Sequence, residues 1–165
     1  MKTIKLITII IFSIILQSCG PLKPVTVVKN KPIENFKYIY ISPTKSLTSS
    51  SGGVYGGDYG LYGSSTSKSV NPSDVISGIL TKQGFIRLPE LKDDLINETL
   101  IINYGESGRR DRGLCYTIEV TIQFVSGKSN ELISSCTAEG QGETEADDIR
   151  QAITRCLSGL QSNEN

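Results

Sequence analysis

Four cysteines, at positions 19, 115, 136 and 156, are the most reactive side chains in this sequence, and no histidine is present to activate any of them. Without imidazole, the commonest general base and the commonest neutral metal ligand are both missing. Serines are plentiful, yet no GxSxG elbow occurs and no Ser-x-x-Lys sits in a context that would activate it. Acidic residues gather at Glu139, Glu143, Glu145, Asp147 and Asp148, but their spacing is not that of an EF-hand loop. A helix start explains them better, because its dipole favours carboxylates and repels cations. Basic residues gather at Arg109, Arg110 and Arg112, framed by Gly105, Gly108 and Gly113. Such guanidinium groups are candidate contacts for an anion, a phosphate or sugar acid, or for a partner. Nothing here assembles a reaction, a metal site or a cofactor site, so the expectation is a chain that is not an enzyme.

Cys19 stands apart because of what precedes it. Lys2 and Lys5 form a basic start, Leu6 to Leu16 an apolar run, and Gln17-Ser18 a short link to the cysteine. The run is too short to span a bilayer, which needs roughly twenty apolar residues at about 1.5 Å rise each. Leu16-Gln17-Ser18-Cys19 resembles the lipobox read by the lipoprotein-specific signal peptidase, with Gln17 where a small residue is usual. That resemblance implies cleavage of residues 1–18, a diacylglyceryl thioether on Cys19 and an N-acyl chain. Several acyl chains, at about 0.8 kcal/mol per buried methylene, anchor a protein stably. Gly20 follows in place of an aspartate, which by the same resemblance points to the outer membrane, facing the periplasm. The membrane is thus the first expected partner.

The whole chain has 17 basic and 17 acidic residues, and loss of the two leader lysines leaves a net charge of −2. A nucleic-acid partner would want a strongly basic face, so none is expected.

The elements that must position these residues follow from pattern. Residues 19–35 carry Pro21, Pro24 and Pro32 among lysines and read as an extended tether reaching some tens of Å, at about 3.1 Å per residue. Phe36 to Ser42 reads as a strand with both faces covered. Residues 45–70 are Gly, Ser and three tyrosines, a composition that builds no core and predicts a flexible insertion in the 36–160 domain. Tyr55, Tyr59 and Tyr62 within it are candidate partner contacts, rigid aromatics on an adaptable chain. Asn71-Pro72-Ser73-Asp74 opens a helix with Val75, Ile76, Ile79 and Leu80 on its apolar face, and Gly84 stops it. Short strands follow at Phe85–Leu88 and Thr99–Tyr104, with a helical turn over Leu91–Asn97 between them.

Tyr116, Ile118, Val120, Ile122 and Phe124 alternate with polar residues, giving a strand with one dry face. The turn at 126–130 returns it as Glu131 to Ala138. A closing helix begins at the capping-box pair Thr144 and Asp147 and buries Ile149, Ile153, Cys156, Leu157 and Leu160. Residues 161–165 read as a disordered tail. The expected fold is α+β: a mostly antiparallel sheet of about five strands with two helices packed on one face.

FKYIYISP, a helix ending in GF, LIINYGE, the hairpin around SGKSNELI and a closing helix after AEGQGETEADDIRQAI, in that order, resemble an uncharacterised family of small Bacteroidetes-type envelope lipoproteins of unknown function. The resemblance covers residues 33 to 160 and lies in topology rather than chemistry. It implies an envelope lipoprotein and carries no functional residue across.

With the hairpin centred at Lys128, Cys136 falls opposite Val120 on the dry face, and Cys156 lies on the stripe of the helix that covers that face. Cys115 alternates with the wet set. In an oxidising compartment the expected bridge is Cys136–Cys156, closing a loop of about twenty residues worth ~3 kcal/mol, with Cys115 free. The alternative is a pair of buried thiols acting as small hydrophobes. The same register carries the three arginines to the acidic helix start, where they are expected to pair.

Three functions fit: a non-enzymatic module binding or scaffolding an envelope protein or glycan; an envelope hydrolase or carbohydrate-modifying enzyme, which needs paired carboxylates about 5–9.5 Å apart in a cleft; and a structural subunit of a surface assembly, which predicts self-association.

Overall fold

The computed structural model describes residues 21–57, 60–112 and 115–162; for 51–57, 60–66, 112 and 115 it describes the backbone alone. Cys19, Tyr59, Gly113 and residues 163–165 lie outside those residues. The fold is α+β. Its main sheet has six strands: β1 (Thr26–Lys29), β2 (Tyr38–Ile41), β5 (Ile86–Arg87), β6 (Thr99–Arg112), β7 (Cys115–Ser126) and β8 (Leu132–Gly140). Two further strands, β3 (Leu47–Gly57) and β4 (Gly60–Val70), pair only with each other, and the helices are α1 (Pro72–Lys82) and α2 (Glu145–Ser162).

The main sheet runs β1-β8-β7-β6-β2-β5 and is mixed. The β1–β8, β8–β7 and β7–β6 pairs are antiparallel, while β2 is parallel to both β6 and β5. The expectation of a mostly antiparallel sheet of about five strands is corrected on two counts. α1 carries the chain from β2 back to β5 in the same direction, as a helical crossover must. And the stretch expected to be tether contributes β1, whose Thr26–Lys29 pair with Thr137–Ser134. Proline and lysine bracket that segment and conceal the Val25, Val27 and Val28 that make it strand-competent.

Both helices lie on one face. Ile39, Ile41, Leu100, Ile102, Ile118, Val120, Ile122 and Phe124 from the sheet meet Ile76 and Leu80 of α1 and Ile149, Ile153, Leu157 and Leu160 of α2, all buried. Asn71 caps α1 by accepting from the Ser73 N–H at 3.2 Å, and Gly84 leaves it with φ +100°. Thr144 and Asp147 form the expected capping pair at the head of α2. α2 lies very close to β8: a Cβ on Gly140 would sit 1.8 Å from the Asp148 carbonyl oxygen and 2.7 Å from the Ala152 nitrogen.

The β7–β8 register pairs Ile122 with Cys136 and Val120 with Ala138, two residues from the sequence expectation, with an irregularity at Phe124–Val125. A slip of two preserves which face each side chain takes, so the inward set is unchanged. Within the segment expected to be a flexible insertion the structure places the β3–β4 ribbon, with Leu47 and Val70 at its base packed on the core and Tyr55 opposite Tyr62 toward its far end.

Candidate functional site

Two constellations lie at opposite ends of the sheet. The first is charged. β6 continues well past Tyr104, so the arginines expected in a loop are strand residues paired with β7. Adjacent strand residues point to opposite faces, and a bulge between Glu106 and Gly108 shifts the alternation so that Arg109 rather than Arg110 takes the helix side. Arg109 takes the helix side, opposite Ile118: it bonds Glu145 at the start of α2 at 2.9 Å and lies over the Tyr116 ring at 4.5 Å. Arg110 takes the other side, opposite Thr117, and grips Glu139 with two bonds, Nε to Oε1 at 2.8 Å and Nη2 to Oε2 at 2.5 Å. Of the three arginines expected to pair with the acidic helix start, Arg109 reaches Glu145 there, Arg110 pairs instead with Glu139 of β8 on the other face, and the Arg112 side chain lies outside the described residues.

Glu139 is 1% exposed, and the N-terminal segment completes its shell. The Lys23 backbone N–H donates to Oε2 at 2.9 Å, while Lys23 Nζ lies 3.5 Å from Oε1 and 3.2 Å from Glu119. Arg155 donates to the Lys23 carbonyl at 2.9 Å and also to the Glu139 carbonyl. The Arg110 guanidinium holds the Glu139 carboxyl well below its ordinary range, at about 2. A buried carboxylate with both oxygens committed to local donors is structural. Behind it, burial pushes the Asp148 carboxyl up, and the Gly142 N–H supports its charge in part.

Cys136 and Cys156 are joined in a disulfide, their Cα atoms 5.3 Å apart and both side chains buried between β8 and α2. Cys115 begins β7 opposite Arg112. At the head of α2, Lys68 of the ribbon bonds Asp147 at 2.8 Å and Glu143 at 3.4 Å, and Ser49 accepts from the Ala146 N–H at 2.9 Å. Glu139, Glu143, Glu145 and Asp147 of the acidic cluster are thus each paired with a local cation. Among the described residues, no group of three His, Cys, Asp or Glu side chains is placed to hold a metal ion.

The second constellation is an open cavity of about 460 Å³ at the other end, where α1 and α2 both finish. Ile33 and Phe36, Leu80 and Phe85, and Leu157 and Leu160 form its apolar wall; Glu34, Lys37, Gln83 and Gln161 stand at its polar rim. Its size suits a small ligand or a few side chains of a partner, and polar and apolar groups share its exposed lining. Its charged groups are Glu34 and Lys37. Sequence pattern did not reveal it. Ile33 belongs to the stretch expected to be tether, and the convergence of two helix ends is a tertiary fact with no local signature.

No protein-family model matches the chain, and no curated protein matches it. Solved structures with a similar course are PelC dodecamers from Paraburkholderia phytofirmans. One, a point variant, is 15% identical, with a TM-score of 0.48 over 83% of this chain and 95% of that chain. Another is 14% identical, with a TM-score of 0.46 over 83% and 96%.

Proposed function

We propose that this chain is a lipid-anchored envelope protein without catalytic activity, held at Cys19 on the periplasmic side of the outer membrane, whose domain binds another envelope component through the cavity between the ends of α1 and α2. The observation that carries the reading is the cavity: about 460 Å³, walled by Phe36, Phe85, Leu157 and Leu160, with Glu34, Lys37, Gln83 and Gln161 beside them. The charged constellation at the other end supports it by contrast, since its carboxylates and guanidinium groups already satisfy one another. The anchor rests on the basic start, short apolar run and lipobox-like Leu16–Cys19.

The binding reading is tested by recovery from detergent-solubilised envelopes. Wild-type protein is expected to bring down one specific protein or glycan component, and Gln83→Trp, which places a large ring at the rim, is expected to lose it while keeping its melting temperature. Failure of the wild type to recover anything specific, or equal recovery by the occluded variant, contradicts the proposal. The anchor is tested separately: Cys19→Ala should abolish fatty-acid labelling and processing.

A further inference from the structure

We infer that the domain stands directly on the bilayer with its Lys23 end, the outer part of β6–β7 and the β3–β4 ribbon against the lipid headgroups, so that the cavity opens away from the membrane. The inference rests on acylation at Cys19 and adds a geometry to it.

The first argument is the length of free chain. Lys23 is fixed to the body through its N–H on Glu139, its carbonyl on Arg155 and its ammonium on Glu119. It follows Cys19 by four residues. A chain reaches at most about 3.3–3.6 Å per residue, so Lys23 lies within ~14 Å of the acylated residue. Pro21 and Pro24 on either side favour a stiff, extended link. The long spacer suggested by composition is absent, because most of it is docked as β1 and the turn that follows.

The second argument is direction. From Lys23 the chain runs along β8 from the Thr137 level to the Ser134 level and then reaches Ile33 and Phe36 at the cavity. α2 runs the same way, with Glu145 beside Arg109 and Leu160 at the cavity. The cavity and Lys23 are therefore at opposite ends of a long sheet. Between Glu119, which Lys23 touches, and the turn at Gly127 there are eight residues of strand and turn, about 27 Å at ~3.4 Å each.

The third argument is the ribbon. Its Ser69 carbonyl accepts from Arg150, and the next residue, Lys68, bonds Asp147 and Glu143, nearer the start of α2. The ribbon thus heads toward the Lys23 end. From Ser50–Ser67 its pairing continues to Gly57–Gly60, seven residues further, or ~23 Å at about 3.3 Å each. That exceeds the ~14 Å allowed by the link. Standing beside so short a tether, the ribbon has to meet the headgroup layer.

Energy transfer to a headgroup acceptor tests the placement. The acylated full chain, carrying Cys115→Ser so that its thiol does not compete, is given a donor fluorophore at Asp111→Cys, Ser67→Cys or Lys128→Cys and reconstituted in phosphatidylethanolamine–phosphatidylglycerol vesicles. Transfer from positions 111 and 67 is expected to be at least threefold stronger than from 128. Equal transfer from all three, or stronger transfer from 128, overturns the placement. Chain that carries no fatty acid and fails to sediment with the vesicles overturns the anchor itself, an outcome read from labelling rather than from transfer.

Discussion

At the Lys23 end of the sheet Glu139 is enclosed by Arg110 and Lys23, Arg109 spans to Glu145, and the Gly140 backbone touches α2 with no room for a methyl group. At the other end the two helices finish without closing over the sheet, leaving Phe36, Phe85, Leu157 and Leu160 around open space. One sheet therefore ends in a sealed structure at one side and in an unfilled surface at the other. The charged end looks more like chemistry in the sequence, yet its charges are occupied with one another. The end made of ordinary apolar residues is the one with capacity left.

Substitutions at the sealed end should be costly. Gly140→Ala forces a methyl group into the Asp148 carbonyl, and overpacking of this kind should lower unfolding free energy by about 3 kcal/mol in urea denaturation. A loss below ~0.5 kcal/mol would show that α2 is free to shift and that this end is not sealed. Replacing Cys136 and Cys156 together by Ala should cost a further ~3 kcal/mol, the loop-closure value for residues 20 apart in sequence. Non-reducing peptide mapping should find that pair bridged, and a bridge to Cys115 would contradict the packing of α2 on β8.

The ion cluster sharpens the contrast through pH. Glu139 is held at about 2 against an ordinary 4.5, so its contribution is fully present above pH 4.5 and is lost as pH falls toward 2. Asp148, raised by burial, works in the opposite sense. The informative comparison is therefore with Glu139→Gln, which should be less stable at pH 7 and should lose less stability between pH 4.5 and 2 than the wild type. Equal slopes would show that the pair adds nothing. The smallest effect is expected at the open end, where Gln83→Trp at an exposed rim position should change stability by less than ~0.5 kcal/mol.

Alternation and capping chemistry carried much of this fold into the sequence. The Tyr116–Phe124 alternation identified the dry face of β7, and a parity argument tolerates a two-residue register slip, so Cys136 and Cys156 could be matched without the turn being placed correctly. Asn71-Pro72 and Thr144–Asp147 marked the helix starts because a cap is a local bond. What escaped depends on distant partners. The bulge at Glu106–Gly108 breaks alternation and so hid the outer half of β6 with its arginines. Thr26–Lys29 becomes a strand because β8 has an edge to fill, and β2 is parallel to its neighbours because of where α1 returns the chain. The cavity exists only once two helix ends and the Ile33–Phe36 turn are brought together.

The claim that recognition belongs to the open end is tested most directly by photo-crosslinking in the living cells that make the protein, with the photoreactive residue at Gln83 on the cavity rim or at Gln123 on the opposite, exposed face of the sheet. The account predicts one recurring adduct from position 83 and none of that species from position 123. The same adduct from both positions, or from 123 alone, would contradict it.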